Sequence, residues 1–266
     1  HSFPTRRSSD LEMNYKEITL NNSMQKKTSN INRVKYIVHC NKKNFDAIIC
    51  LDGDLPNAEF ILKFKNIPIL AADGSAAKLL DMEIDPDFII GDLDTFSKSK
   101  YFDEIDKSKV YHYPEQETND FEKVLNFALE KDYNNILIIG FNGGEIEHTL
   151  NNWSVFKKYC ARLDLCVYST GRYGIGVKDS VLVQTSVGEI ISLIPQPSAR
   201  ISTLNLKWEL DNEILELGVR EGIRNIALEN NVFIFIHYGE LLIFFDSKEP
   251  FSPEKKIGRA SCRERV

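Results

Sequence analysis

Runs of apolar residues alternate with segments of helical spacing between about residues 45 and 169. The apolar runs have the length and uniform hydrophobicity of strands buried on both faces, and they cover residues 45–51, 67–72, 88–90, 110–113, 136–140 and 165–169. Strand–helix–strand repetition predicts right-handed crossovers and a mostly parallel sheet. The fold class expected for this part is α/β and Rossmann-like, with helices on both faces of the sheet.

Two of the predicted helices have features that a structure can test. Asn119 is suited to cap the first helix, with Glu122 three residues later, and apolar side chains then recur at helical spacing as far as Leu129. The second helix follows a Gly-Gly turn. Its spacing predicts four inward apolar side chains, at Ile146, Leu150, Trp153 and Phe156.

The pattern changes after about residue 175, where short strand-like runs are separated by polar, Gly or Pro turns without any helical period. Such spacing predicts a small all-β sandwich. The expected runs are residues 181–183, 189–194, 204–208, 226–228, 232–237 and 241–245. The domain organisation predicted from these patterns is an N-terminal extension (1–43), an α/β domain (44–174), a sandwich (175–247) and a C-terminal tail (248–266).

Two details of this organisation concern the edges of the first sheet. The run 165–169 is expected to be its last strand. Residues 34–38 are expected to form an edge strand or an ordered arm.

Residues 1–11 and 257–266 lack periodicity and are rich in Arg and Ser, so they resemble translated adapter or vector sequence. Sequencing the native locus would test that interpretation.

Charge and cysteine usage exclude some classes of protein. The net charge of −6 argues against a nucleic-acid-binding protein, which would normally carry a basic surface. The five cysteines show no CxxC pairing, which favours buried thiols in a reducing cytoplasm over disulfides or zinc. No apolar run approaches the roughly 18 residues that a membrane helix needs. A cytoplasmic protein without nucleic-acid or membrane partners is therefore expected.

Acidic residues follow two consecutive predicted strands. Asp73 comes after the run 67–72, and Asp92 and Asp94 come after the run 88–90. Ligands bind at this carboxyl edge of open α/β sheets. If the backbone stays extended, Asp92 and Asp94 face the same way, and two close carboxylates need a proton or a cation between them. Oxygen ligands without His or Cys favour Mg²⁺. We therefore predict a magnesium–phosphate site; the alternative is a solvated loop with a helix cap.

Two further segments belong to the same predicted edge. Asp120 lies in the first turn of a helix, where the helix dipole stabilises a negative charge, so it has a structural explanation. It also follows a predicted strand on the ligand-binding edge of the sheet. Gly143 and Gly144 precede another helix and would let backbone N–H groups approach a phosphate, although many such glycines only bend the chain. His148, as a lone helical histidine, is by residue type more often structural than catalytic.

Together these motifs resemble thiamine pyrophosphokinase. The family carries, in this order, an Asp-Gly turn, Gly-Asp-x-Asp-Ser, Asp-Gln-x-x-Thr-Asp-Phe and Gly-Gly-Arg-x-Asp-His. The matching segments here are Asp73-Gly74, Gly91-Asp92-Leu93-Asp94-Thr95, Glu115-Gln116-Glu117-Thr118-Asn119-Asp120-Phe121 and Gly143-Gly144-Glu145-Ile146-Glu147-His148. The resemblance extends from about residue 45 to residue 245.

This resemblance implies Mg²⁺-dependent transfer of pyrophosphate from the co-substrate ATP to thiamine, giving thiamine diphosphate and AMP. It implies a homodimer in which thiamine binds between one subunit's catalytic domain and the other's sandwich. Asp73, Asp92 and Asp94 would hold the metal, and Asp120 would be a further ligand or accept the thiamine hydroxyl proton. The implied nucleotide or thiamine contacts are Gly53, Gly74, Gln116, Gly143, Gly144, His148 and Asn225.

The sequence departs from the family pattern at three positions. Glu145 and Glu147 replace the Arg and Asp of the fourth motif, and Arg224 replaces the Ser of a Gly-x-Ser-Asn motif. A lost arginine weakens triphosphate binding unless another cation, Lys78 or Arg172, compensates.

Two alternative functions follow from the sequence. The first is a catalytically weak nucleotide- or thiamine-binding homologue, which the departures favour. The second is a phosphatase with an aspartate nucleophile in Asp52-Gly53-Asp54. That spacing fits such an enzyme, but it explains none of the later motifs.

Overall fold

The computed structural model describes residues 33–257, so both of the terminal segments interpreted as foreign lie outside it apart from Ile257. The helices are α1 (Ala58–Ile61), α2 (Ser75–Asp81), α3 (Asp120–Glu130) and α4 (Ile146–Tyr159). The strands are β1 (Tyr36–His39), β2 (Ala47–Cys50), β3 (Ile69–Ala72), β4 (Phe88–Gly91), β5 (Val110–His112), β6 (Asn135–Ile139), β7 (Asp164–Ser169), β8 (Arg172–Val177), β9 (Val181–Gln184), β10 (Ile190–Leu204), β11 (Glu213–Glu216), β12 (Gly222–Ile226), β13 (Asn231–Asp246) and β14 (Glu254–Ile257).

Six strands in the order β7-β6-β2-β3-β4-β5 pair in parallel. Alternate residues of β2 face opposite sides: Ile48 packs with α1 and α2, and Ile49 packs with α3 and α4. Apolar side chains cover both faces because the crossovers place helices there. A mixed α/β fold with a large sheet is thereby confirmed, while the Rossmann-like description stays a prediction.

The sheet does not end at β7, and the expectation that it would is wrong. Thr170 and Gly171 both have positive φ, 46° and 77°, as the central residues of a two-residue hairpin turn do. The chain therefore reverses at once, and β8 pairs antiparallel with β7. Beyond β8 the order continues through β13, β9, β1 and β14. The sequence pattern does not predict β8, which contains two glycines.

The strand near the N-terminus is not an edge strand. β1 pairs in parallel with β9 and antiparallel with β14, so it has a neighbour on each side. Part of the predicted extension and part of the predicted tail therefore complete the sheet next to the second half of the chain. The proposed domain boundaries otherwise stay a prediction.

Long strands dominate the second half. The predicted runs 232–237 and 241–245 form one strand, β13, which pairs with β10 through a register irregularity near Gly239. Gly239 has φ +83°, and a Cβ there would lie 2.1 Å from the Ser198 carbonyl oxygen. The predicted strand 204–208 is wrong: Leu206 forms only an isolated bridge, beside a left-handed Asn205. Since these strands extend the same sheet, a separate sandwich stays a prediction.

The four cysteines of the described region are free thiols, and Cys262 lies outside it. Cys50 and Cys166 are buried, as expected, whereas Cys40 and Cys160 are only partly buried. Within residues 33–257 the chain forms no helix that combines the length and apolarity needed to cross a membrane.

Candidate active site

A cleft of about 810 Å³ lies at the carboxyl ends of β2, β3, β4 and β6. This volume is within the range of small-molecule sites, roughly 300–1,000 Å³. Of the described residues that line it, eight are acidic and one is a lysine, Lys123. The acidic residues are Asp52, Asp73, Asp92, Asp94, Glu117, Asp120, Glu122 and Glu145. Such a surface repels a polyphosphate unless cations bind with it.

Three of the predicted site residues form a group that could hold a metal ion. Asp73, Asp92 and Asp94 each offer one carboxylate oxygen, and these atoms lie within 4.8 Å of one another. Asp73 is buried at the end of β3, whereas Asp94 is exposed. The carboxyl ends of β3 and β4 adjoin because the two strands pair in parallel.

Asp92 and Asp94 do not meet through an extended strand end. The prediction that they face the same way required extended backbone, and that condition is not met, since Leu93 between them has φ +64°. Its buried side chain holds this left-handed turn, and the Asp94 N–H donates to Asp92 Oδ1 at 3.2 Å. A tight turn, not strand alternation, brings the two carboxylates together.

Asp73 is fixed by backbone donors. Its two carboxylate oxygens accept hydrogen bonds from Thr95 N (3.1 Å) and Phe96 N (3.0 Å), in the turn that follows Asp94. Burial nevertheless raises the pKa of Asp73 above its ordinary value, against the effect of these hydrogen bonds. A bound cation would offset that desolvation.

Asp92 has the opposite electrostatic environment. Burial alone would raise its pKa, but the Gln116 amide (3.0 Å), the Asp94 N–H and the Lys123 charge together lower it. Gln116 projects from a loop whose conformation is set by Glu115, which accepts from the N–H groups of Glu117 and Thr118. The structure therefore places Gln116 against a predicted metal ligand.

Asp120 begins α3 and lies beside the metal-ligand group. A Cβ added to Gly91 would lie 3.0 Å from both Asp120 Oδ1 and Asp73 Cβ, so glycine at this strand end permits the close approach. Burial raises the pKa of Asp120, and the charge of Lys123, 3.3 Å away, opposes that rise. The predicted cap is confirmed: Asn119 Oδ1 accepts from Glu122 N at 2.8 Å.

The predicted glycines differ in what they permit. Gly53 N donates to Gly140 O at 3.0 Å, and Asp54 N donates to Asn142 O at 2.6 Å, which joins the loops after β2 and β6. A Cβ on Gly53 would lie 2.1 Å from Asn142 O. Gly143 is similarly confined by Asp54, whereas Gly144 has open space. Gly53 and Gly143 are thus required by loop packing, and Gly74 also lines the cleft.

The start of α4 is exposed at the rim of the cleft. His148 lines the cleft and lies 3.3 Å from Glu145, and both side chains are largely exposed. The prediction that Ile146 and Leu150 point inward is wrong, since they are 75% and 65% exposed. Trp153 and Phe156 do pack inward, against Phe141. The buried stripe therefore begins only in the third turn of the helix.

Asn225 is the predicted contact that this chain does not bring to the cleft. It is buried in β12, where its Oδ1 accepts from Trp208 N (3.1 Å) and its Nδ2 donates to Trp208 O (2.7 Å). Within one chain its role is to hold the Trp208 turn. Asn225 does not line the cleft of its own chain, so the cleft does not explain the predicted ligand contact.

Comparison with known proteins shows which proteins this chain resembles. Residues 62–167, which include the metal-ligand group, match the family model for the catalytic domain of thiamin pyrophosphokinase. Thiamine pyrophosphokinase 1 of Oryza sativa subsp. japonica is 26% identical over 217 residues, covering 71% of this chain and 82% of that protein. Thiamin pyrophosphokinase 1 of Caenorhabditis elegans is 25% identical over 186 residues, covering 62% and 73%. Over its catalytic region this chain is therefore similar in sequence to thiamin pyrophosphokinases.

Solved structures of thiamin pyrophosphokinases have the same fold. The yeast enzyme superposes with a TM-score of 0.65 at 18% identity, covering 77% of this chain and 87% of that chain. The Bacillus subtilis protein gives 0.63 at 20% identity, covering 76% and 99%.

The departures from the thiamin pyrophosphokinase motifs can now be placed. Glu145 is exposed at the rim and pairs with His148, so it adds negative charge where the motif has arginine. Of the two candidate compensating cations, Lys78 contacts Asp52 Oδ1 at 2.9 Å beside the cleft. Arg172 is bound to Asp246 and does not line the cleft. Arg224 is an exposed, left-handed residue of β12, with φ +57°.

Lys123 was missed by the sequence analysis. Its ammonium group lies 3.5 Å from Asp92 Oδ2 and 3.3 Å from Asp120 Oδ1, and its side chain is only 2% exposed. The available signal was its position three residues after Asp120 on one helix, a spacing at which side chains meet. An otherwise ordinary helical lysine gave no reason to use it.

Proposed function

We propose that the protein transfers a pyrophosphoryl group from ATP to thiamine, with Mg²⁺, giving thiamine diphosphate and AMP. The observation that carries the proposal is the convergence of Asp73, Asp92 and Asp94 within 4.8 Å, in the region that matches the thiamin pyrophosphokinase catalytic domain. The relatives named above carry that activity in their names.

The donor set fits magnesium. Among the described residues, the ligand group consists of three carboxylates and contains neither His nor Cys, which suits a hard cation that prefers oxygen. Asp73, Asp92 and Asp94 would hold Mg²⁺, which when bound neutralises phosphate charge and orients the transferred group. Little covalent chemistry is required of the protein in phosphoryl-type transfer, so positioning is its main task.

The remaining residues have positioning and proton-transfer roles in the proposal. Asp120 would accept the proton of the thiamine hydroxyl group or serve as a further metal ligand, and its raised pKa suits a proton acceptor. Gly74 and Gly144 would allow backbone to approach the nucleotide, and His148 would contact it at the rim. Gln116 would orient Asp92 and contact the nucleotide or the thiamine pyrimidine.

We further propose a homodimer with thiamine bound between subunits, in the cytoplasm. Exposed apolar side chains support an interface: Ile146 and Leu150 at the cleft rim, and Val219 and Ile223 in segment 213–226. Exposed Arg224 would then reach the cleft of the other subunit rather than its own, while buried Asn225 would hold the neighbouring Trp208 turn in place. The free thiols of the described cysteines support a reducing compartment.

A product assay tests the proposed function. The protein incubated with ATP, Mg²⁺ and thiamine should release AMP and thiamine diphosphate in equal amounts. Asp92→Asn and Asp94→Asn should each lower the rate by about 100-fold or more, because a metal ligand is worth several kcal/mol to the transition state. Asp81→Asn, which alters an exposed acid paired with Lys100, is the matched control and should stay active.

Circular dichroism should be unchanged in all three variants, so that lost activity reports on the site. Release of ADP instead of AMP, or a fully active Asp92→Asn variant, would refute the assignment.

A catalytically weak homologue is the second candidate, and exposed Glu145 is the observation that favours it. If the missing arginine limits activity, Glu145→Arg should lower the KM for ATP and raise the rate of AMP release. A wild-type rate already comparable to that of Glu145→Arg would exclude this candidate.

A further inference from the structure

Lys123 is a buried lysine that lines the cleft. Lys123 lies on α3 with its ammonium group between Asp92 and Asp120, at 3.5 and 3.3 Å. A lysine is almost never fully buried without charged partners, and here the partners are a proposed metal ligand and the proposed proton acceptor. The lysine therefore connects the two functional parts of the cleft.

The acids around Lys123 divide into two sets. Asp73, Asp92 and Asp94 can approach one another within 4.8 Å, whereas Asp120 is not part of that group. Asp120 is nevertheless adjacent to it, since both Asp120 and Asp73 lie against Gly91. Asp120 Oδ1 lies 3.3 Å from the Lys123 ammonium group, so the lysine is a charged partner for this carboxylate in place of a metal ion.

Lys123 also offsets part of the negative charge of the cleft. It is the one lysine beside eight acidic residues among the described residues that line the cleft. Its ammonium group competes with a metal ion for Asp92, whose Oδ2 also accepts from Gln116. A neighbouring positive charge repels a divalent cation, so the same lysine weakens metal binding while it keeps the acids together.

We propose that Lys123 is a positioning residue that weakens Mg²⁺ binding to the free protein and keeps Asp120 out of the metal-ligand group. Mg²⁺ then binds productively together with the nucleotide rather than tightly to the acidic cleft alone. This inference rests on the proposed function, but its first test does not require turnover.

The test is a Mg²⁺ titration of the full chain without nucleotide, followed by calorimetry or by the thermal midpoint. Lys123→Met removes the charge and keeps most of the side-chain length. It should bind Mg²⁺ at least about tenfold more tightly, since one unit of charge close to a divalent ion is worth that much even at the dielectric constant of water. Lys123→Arg keeps the charge and should bind as the wild type does. Lys131→Met, at the exposed end of the same helix, is the control.

In the product assay at saturating Mg²⁺ and ATP, Lys123→Met should lower kcat at least about tenfold while its Mg²⁺ affinity rises. A merely structural lysine would not give this opposed change, because disruption of the cleft lowers both. Unchanged or weaker Mg²⁺ binding by Lys123→Met would overturn the proposal. If Lys123→Met does not fold, the double variant Asp120→Asn/Lys123→Met removes both members of the ion pair. This variant should still bind Mg²⁺ more tightly than the wild type, because Asp92 no longer contacts a lysine. A Mg²⁺ affinity equal to or weaker than that of the wild type would overturn the proposal.

The two proposals fail in different ways. A wild-type protein that forms no thiamine diphosphate would refute the proposed function and leave the Mg²⁺ titration informative. Wild-type activity with no tightening in Lys123→Met would refute the role of the lysine alone.

Discussion

At the scale of single residues, Tyr173 carries a polar atom that the interior does not satisfy. Its hydroxyl is buried without a hydrogen-bond partner among residues 33–257, while its ring packs edge-on against Phe45 and Phe245. Burial raises the pKa of Tyr173, so the group stays neutral. Tyr173→Phe keeps the ring and removes the desolvated hydroxyl, so we expect the free energy of unfolding to rise by about 1 kcal/mol in denaturant titrations.

Tyr159→Phe is the matched control for this prediction. The Tyr159 hydroxyl donates to Asn126 Oδ1 at 2.9 Å, so the same change there should lower the free energy of unfolding by about 1 kcal/mol. Equal losses in both variants would show that the Tyr173 hydroxyl has a stabilising partner.

At the scale of elements, α3 carries both Asp120 and Lys123, and its first turn depends on Asn119. Asn119→Ala removes the acceptor for Glu122 N and should lower the free energy of unfolding by about 1 kcal/mol, measured by urea titration. Because Asp120 is the first helical residue, the rate of thiamine diphosphate formation should fall as well. Asn119→Ser restores a capping oxygen and should recover most of both losses; an Ala variant as stable as wild type would contradict the prediction.

At the scale of the whole molecule, the proposed homodimer requires an apolar surface that a second copy covers. Val219 and Ile223 are 75% and 60% exposed. Val219→Asp/Ile223→Asp would place two charges in such an interface, so sedimentation should change from dimer to monomer and thiamine diphosphate formation should fall. Leu62→Asp, at an equally exposed leucine just after α1, should leave the dimer intact. A monomeric wild-type protein would refute the homodimer.

The sequence was most informative where the interaction is local. Continuous apolar runs, typical of strands that are buried on both faces, predicted β2, β3, β4 and β6. The Asn119 cap was confirmed as well, because capping involves residues only three apart. The sequence was least informative where distant segments decide the outcome. The strand β8 follows a hairpin turn with weak sequence signals. β1 becomes an internal strand only because β9 and β14, both more than 100 residues later in the chain, pair with it on either side.

By itself, the sequence determined the α/β elements, the acidic residues at their ends and the family resemblance, because residue type and short-range period carry that information. Tertiary structure alone decided how those acids meet. The left-handed turn at Leu93 joins Asp92 to Asp94, and Gly91 admits Asp120 beside Asp73. Lys123 acquired its place between two carboxylates only when α3 packed against the ends of the strands, since burial is a property of the assembled fold and not of the helix.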